Sequence, residues 1–185
     1  MVEPEQPLLP GDEVPSAEFE RKADEIIAQY PVSRRSASLP LLHLWQEEFG
    51  FISERAVEWI AAKLGIKPIH ILELVTFYPM LHRRPVGKTH FRVCRTLSCA
   101  LAGSYELFAR IRELCGATVP AGHGLYLSPD RSCSVEFVEC LAACGSAPAM
   151  MVDEEEFERA TIDTVEEILR RRRAQNGAAQ GAEKG

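Results

Sequence analysis

Long apolar runs are missing from this chain. The best candidate, Ile69 to Leu81, is interrupted by His70, Glu73 and Pro79, and it falls short of the ~18–20 residues a membrane span needs. A positive surplus is missing too: 21 Lys and Arg stand against 27 Asp and Glu, a net charge of −6. Nucleic acid is therefore not an expected partner, because phosphate binding needs a concentrated basic face. Neither G-x-G-x-x-G nor the phosphate-loop pattern G-x-x-x-x-G-K occurs, so no nucleotide site is written in the sequence. The opening residues, Met1-Val2-Glu3-Pro4-Glu5, show neither the basic-then-apolar layout of a secretory signal nor the Arg-rich, acid-poor character of an organelle presequence. A cytoplasmic protein of bacterial style is the expectation. Internal repeats are also absent. Against these absences, 46% of the 185 residues are apolar, enough for one domain or two small ones. Six cysteines are the anomaly in such a chain.

Two regions differ in pattern. Residues 1–15, with Pro4, Pro7, Pro10 and Pro15, read as a loose tail. Ser16 is an N-cap signal, followed by the helical stripe Phe19, Ala23, Ile26, Ile27 and Tyr30. Further helices are expected from about Ser36 to Phe49, from the cap Ser53 to Leu64, and from Pro68 to about Phe77. Residues 16–79 thus read as a small helical bundle, marginal as an independent core and in need of a packing partner. Beyond Pro79, Lys88 to Cys94 alternates as a half-buried strand, and Tyr105 to Cys115 has the period of a helix. Leu125 to Leu127, Cys133 to Val138 and Ala149 to Val152 are strand candidates, and Thr161 caps a last helix that ends near Arg173. Residues 80–173 read as a mixed sheet with helices packed on it, and 174–185 as a disordered tail. The fold class expected is α+β.

The cysteines sit at 94, 99, 115, 133, 140 and 144. Cys94 and Cys99 form one local pair, Cys140 and Cys144 another, and each pair begins where an expected strand ends. Four thiolates from two loops are a donor set for an iron–sulfur cluster or a structural zinc. Zinc sites favour two-residue gaps and histidine co-ligands, and thiol–disulfide enzymes also use C-x-x-C. Gaps of four and three favour iron–sulfur, with a zinc-stapled structural adaptor and unrelated or disulfide-forming cysteines as the alternatives. Two ferric ions, two sulfides and four thiolates carry a net −2, so adding an electron is unfavourable and the potential is expected to be low, of the order of −400 mV. Arg95 is the nearest cation in sequence and acts to raise that value. Cys115 and Cys133 read as small buried hydrophobes. His43, His70 and His90 read as packed or surface residues.

The sequence resembles the 24 kDa (NuoE-type) subunit family of NADH:quinone oxidoreductase, respiratory complex I, whose members are thioredoxin-like 2Fe-2S ferredoxins. The residues that carry the likeness are Tyr30-Pro31, Leu39-Pro40-Leu41-Leu42-His43-Leu44, Phe49-Gly50-Phe51-Ile52-Ser53, Val75-Thr76-Phe77-Tyr78 and Pro85-Val86-Gly87-Lys88. They continue in the two cysteine pairs, the second as Val138-Glu139-Cys140 to Cys144 with Ala147-Pro148. The resemblance implies that Cys94 and Cys99 hold one iron of a single 2Fe-2S cluster and Cys140 and Cys144 the other. It implies a thioredoxin-like ferredoxin domain after the helical bundle, with no active site of its own. It further implies a partner flavoprotein subunit that binds NADH and FMN, other peripheral-arm subunits, and a place on the cytoplasmic side of the bacterial inner membrane. NAD-reducing hydrogenases and NAD-dependent formate dehydrogenases use a similar subunit. The sequence departs from the family in two places. Ala142 stands where the family usually has Gly, and Ala117 to Ser132 is longer than the usual turn.

Overall fold

The computed structural model describes residues 8–122 and 124–182. Seven helices and a six-stranded mixed sheet make up the described residues, an α+β architecture. The chain divides into two compact units between Pro85 and Val86, a few residues past the change of pattern at Pro79.

The first unit is helical. Helix α1 (Ala17–Ala28) starts where Ser16 Oγ accepts a hydrogen bond from Phe19 N at 3.1 Å, and buries Phe19, Ala23 and Ile27. A 3₁₀ turn (Arg34–Ala37) leads into α2 (Ser38–Phe49), which tolerates Pro40 in its first turn. Gly50 ends it with φ +83°, a left-handed conformation in which a side chain is strained. Helix α3 (Glu54–Leu64) is capped by Ser53, and α4 (Pro68–Phe77) opens on its proline. Trp45 is fully buried at the centre, with Phe19, Phe49 and Trp59 ring centroids 5.7, 4.6 and 5.5 Å away.

The segment before α1 departs from the loose tail expected over 1–15. Leu8 packs against the helical core, and the Leu9 carbonyl accepts from Glu54 N at 2.8 Å. Ser53 Oγ donates to Glu13 at 2.9 Å. The first N–H groups of a helix have no partner within it, and this strand of backbone satisfies one of those on α3. Residues 1–7 lie outside the described residues.

The second unit carries the sheet. Its elements are β1 (Thr89–Cys94), α5 (Leu97–Leu101), α6 (Ser104–Cys115), β2 (Val119–Pro120), β3 (Tyr126–Leu127), β4 (Cys133–Val138), β5 (Met150–Val152), β6 (Glu155–Phe157) and α7 (Ile162–Ala182). The strand order is β2-β3-β4-β1-β5-β6. Strands β1 and β4 are parallel, with Thr89 opposite Cys133 and Cys94 opposite Val138; every other pairing is antiparallel. Phe91, Val93, Ile111, Val135, Met150, Val152 and Val165 fill the core between the sheet, α6 and α7. Phe108 stacks on Phe137 with centroids 3.8 Å apart. Gly87 lies so close to β4 that a Cβ there would stand 2.2 Å from the Cys133 carbonyl carbon.

Three short elements and one end differ from the sequence reading. Helix α5 and strands β2 and β6 are too short to show a period; the strands form because β3 and β5 complete their hydrogen bonds, while α5 closes its own, with Ala100 N donating to Thr96 O at 2.9 Å. Helix α7 continues to Ala182 rather than stopping at Arg173, so most of the expected disordered tail 174–185 is helical; 183–185 lie outside the described residues.

Candidate metal centre

Parallel pairing of β1 and β4 decides where the cysteines go. Cys94 is the last residue of β1, and Cys140 follows the end of β4 by two, so both loops open at the same sheet edge. Arg95 N donates to the Val138 carbonyl at 3.0 Å, holding the loops together as they leave the strands. Antiparallel β5 begins at this edge, and Cys94 N donates to Ala149 O at 3.1 Å. Cys99 sits on the short helix α5, and Cys144 opens a 3₁₀ turn (Cys144–Ser146).

All four predicted ligands are free thiols and come together here. Cys94 and Cys99 are buried with Ala149, and Leu141, Ala143 and Ala147 pack over them. Cys140 and Cys144 are exposed, their sulfurs 3.7 Å apart. Among the described residues, no three of these sulfurs lie mutually within 4.8 Å. Four thiolates around one zinc at ~2.3 Å would all stand about 3.8 Å from one another. The sulfurs fall into one buried and one exposed pair on two separate loops, an arrangement open to two irons.

Backbone N–H groups point at the sulfurs. Burial pushes the Cys94 thiol up, but the Thr96 hydroxyl and the N–H groups of Thr96 and Leu141 outweigh it and draw the thiol below its ordinary value. Cys99 is raised by burial against the opposing Ala149 N–H, with the neighbouring Cys94 and Cys144 adding to the rise. Cys140 is drawn down first by the Ala142 N–H, 3.3 Å from its sulfur, then by the Cys144 thiol and the Thr96 hydroxyl. Such donors stabilise negative charge on cluster sulfurs. The donor set and its hydrogen bonds therefore fit an iron–sulfur group.

Thr96 escaped the sequence reading. Its Oγ1 lies 3.3 Å from Cys94 Sγ and also draws the Cys140 thiol down, so one hydroxyl acts on both loops. No motif marks it, since its role comes from the meeting of two distant loops. Arg95, the nearest cation in sequence, is paired: its Nε donates to Glu139 at 3.0 Å and a guanidinium NH2 meets the same oxygen. Ala142 takes φ +64°, the left-handed conformation that glycine adopts freely. The backbone thus keeps the shape a glycine would give it, and the alanine carries the strain. Cys115 and Cys133 lie elsewhere, in the core of this unit. His90 is a packed residue, with Nδ1 2.7 Å from Ser134 Oγ and Nε2 3.0 Å from Glu136.

Comparison with known proteins bears on this donor set. A profile of the thioredoxin-like 2Fe-2S ferredoxin family matches residues 23–173. An NADH-quinone oxidoreductase subunit of Mycobacterium tuberculosis is 37% identical over 153 residues, covering 83% of this chain and 58% of that protein. NADH-quinone oxidoreductase subunit 2 of Thermus thermophilus is 39% identical over 143 residues, covering 75% of this chain and 76% of that protein. An NADH-quinone oxidoreductase subunit of Rickettsia bellii, named like the mycobacterial one, is 34% identical, covering 80% of this chain and 86% of its own. The chain thus spans little more than half the length of the mycobacterial relative. A crystal structure of NAD+-reducing NiFe hydrogenase in the H2-reduced state superposes with a TM-score of 0.57 at 18% identity, over 73% of this chain and 23% of that one, a likeness of fold. With a match of this extent and four thiols gathered at one sheet edge, the chain belongs to the thioredoxin-like 2Fe-2S ferredoxin family, whose members carry an iron–sulfur cluster.

Proposed function

We propose that this chain is an electron-transfer subunit of NADH:quinone oxidoreductase. It carries one 2Fe-2S cluster, with Cys94 and Cys99 on one iron and Cys140 and Cys144 on the other. The observation that carries the reading is the convergence of these four thiols at the shared edge of β1 and β4. The names of the relatives support the parent complex.

When bound, the cluster supplies one-electron chemistry at low potential. The chain's own residues prepare for it. Donors from Thr96, Leu141, Ala142 and Ala149 hold the thiolate charge that the ligands need. Burial of Cys94 and Cys99 keeps water from one side, while Cys140 and Cys144 leave the other open to an electron donor. Beside Cys99, helix α5 holds Leu97 and Leu101 out at 74% and 81% exposure, apolar surface of the kind a subunit contact covers. The partner in this reading is a flavoprotein subunit that binds NADH and FMN, and the electron passes between its flavin and this chain. Other peripheral-arm subunits complete the assembly on the cytoplasmic side of the inner membrane. Among the described residues no helix is long and apolar enough to cross a membrane.

Affinity purification of the full chain from its own cell tests this reading. The expected result is a co-purifying flavoprotein, with iron and sulfide in equal amounts on this chain. Recovery of the iron-bearing chain with no flavoprotein would overturn the respiratory assignment, and recovery beside hydrogenase subunits would move it to that parent complex.

A further inference from the structure

Strands β1 and β4 hold the two ligand loops in step, yet most of what joins them does not fix their register. The backbone pattern of a parallel pair repeats every two residues, so a shift of two satisfies it again. Core packing excludes one such shift and permits the other. Moving β1 forward along β4 sets Val93 opposite Glu139. Moving it back sets Phe91 opposite Cys133 and Val93 opposite Val135, all four of them core residues. After that backward shift Cys94 stands opposite Glu136 instead of Val138, and the first ligand loop is withdrawn from the second by roughly 7 Å, two residues at ~3.3 Å each.

The other face of the sheet separates the two registers. His90, Arg92 and Cys94 of β1 lie on it, opposite Ser134, Glu136 and Val138 of β4. His90 and Ser134 are buried, and the Glu136 side chain is only 14% exposed. One imidazole spans two positions of β4. Its Nδ1 is 2.7 Å from Ser134 Oγ, and its Nε2 donates to Glu136 Oε1 at 3.0 Å, since a carboxylate oxygen is the acceptor. Ser134 Oγ also accepts from Gly87 N at 2.9 Å, just ahead of β1. The backward shift would put His90 opposite Ser132 and leave the Glu136 carboxylate facing the Cys94 thiol. Arg92 does not take over, because its guanidinium is turned to the link between β5 and β6, where it meets the Asp153 carbonyl and lies 3.5 Å from Glu154. A carboxylate buried without its donor is costly, so this face accepts the native register and rejects the shifted one.

We propose that His90 and Glu136, with Ser134, are positioning residues for the metal centre, a role that rests on the four-cysteine ligand assignment. They pin β1 to β4 in the register that brings Cys94 and Cys99 to Cys140 and Cys144. His90 stands four positions before Cys94 and Glu136 four before Cys140, so the pin acts on the loops through the strands.

The test compares Glu136→Leu with Glu136→Gln in the full chain carrying its cluster, by electron paramagnetic resonance of the reduced protein and by iron content. Leucine removes the acceptor and lowers the cost of the shifted register, whereas glutamine keeps the side-chain length and an amide oxygen for His90 Nε2. E136L is expected to lose the single native signal, through a second signal or loss of iron, and E136Q to retain it. If E136L yields no folded protein, Ser134→Ala, which deletes one hydroxyl, is expected to show a second signal beside the native one. A purely native signal in E136L, or in S134A where E136L does not fold, would overturn the proposal. So would the same alteration in E136Q and E136L, which would mark an effect of charge. A native chain without a 2Fe-2S signal would overturn the ligand assignment and this role with it, whereas a native signal in E136L strikes the role alone.

Discussion

The helical unit and the ferredoxin unit use their cores differently. In the first, Trp45 and three aromatic neighbours fill the centre, and the contacts serve packing alone. In the second, aliphatic side chains and the stacked Phe108 and Phe137 hold a sheet whose edge gathers four thiols. Residues in the first unit matter through volume. Those at the sheet edge matter through position, since a one-residue slip between β1 and β4 would move Cys94 away from Cys140 and send alternate side chains to the wrong face. One unit is therefore sensitive to cavities, the other to register and to the direction of N–H groups.

Substitutions can break that contrast or sharpen it. Trp45→Ala should have the largest effect, a loss of ~3–5 kcal/mol from a fully buried aromatic. Its expected signature is a lower unfolding midpoint by far-ultraviolet circular dichroism with the visible absorption of the metal centre unchanged at 25 °C. Bleaching at that temperature would show that the two units stand or fall together. Ala142→Gly should stabilise the ferredoxin unit by about 1 kcal/mol, because glycine accepts the left-handed conformation without the Cβ clash. The check is a denaturation midpoint followed by visible absorption, and a fall in that midpoint would refute the strain at this position.

Smaller effects concern the centre's charge. Thr96→Val removes a donor shared by Cys94 and Cys140, and should lower the midpoint potential by on the order of 40 mV, the one-electron equivalent of a hydrogen bond worth ~1 kcal/mol. Thr96→Ser should restore it. Arg95→Glu should also lower the potential. Because Glu139 already pairs with Arg95 and both are more than half exposed, Arg95→Gln should shift it less than Thr96→Val. Titrations monitored by electron paramagnetic resonance would rank the variants, and a larger shift for Arg95→Gln would reverse the account of what sets the field.

Much of the fold was legible because its signals are local. Ser16, Ser53 and Pro68 mark helix starts through backbone chemistry within one turn, and Cys133 to Val138 shows its strand character in its own residues. The cysteine gaps of four and three likewise favoured a cluster before the loops were seen to meet. What escaped depends on distant partners. Residues 8–15 are held by Glu54 and Ser53, and Arg95 is neutralised across the gap between the loops by Glu139. Thr96 acquires its second sulfur only when β1 and β4 align.

Metal and sulfide content, read with the visible spectrum across the six single Cys→Ala variants, tests the central claim most directly. The account predicts iron and acid-labile sulfide in equal amounts in the native chain, a bleached or altered spectrum on loss of Cys94, Cys99, Cys140 or Cys144, and an intact one on loss of Cys115 or Cys133. A colourless native chain holding one zinc, or an unaltered spectrum after loss of Cys140, would contradict it.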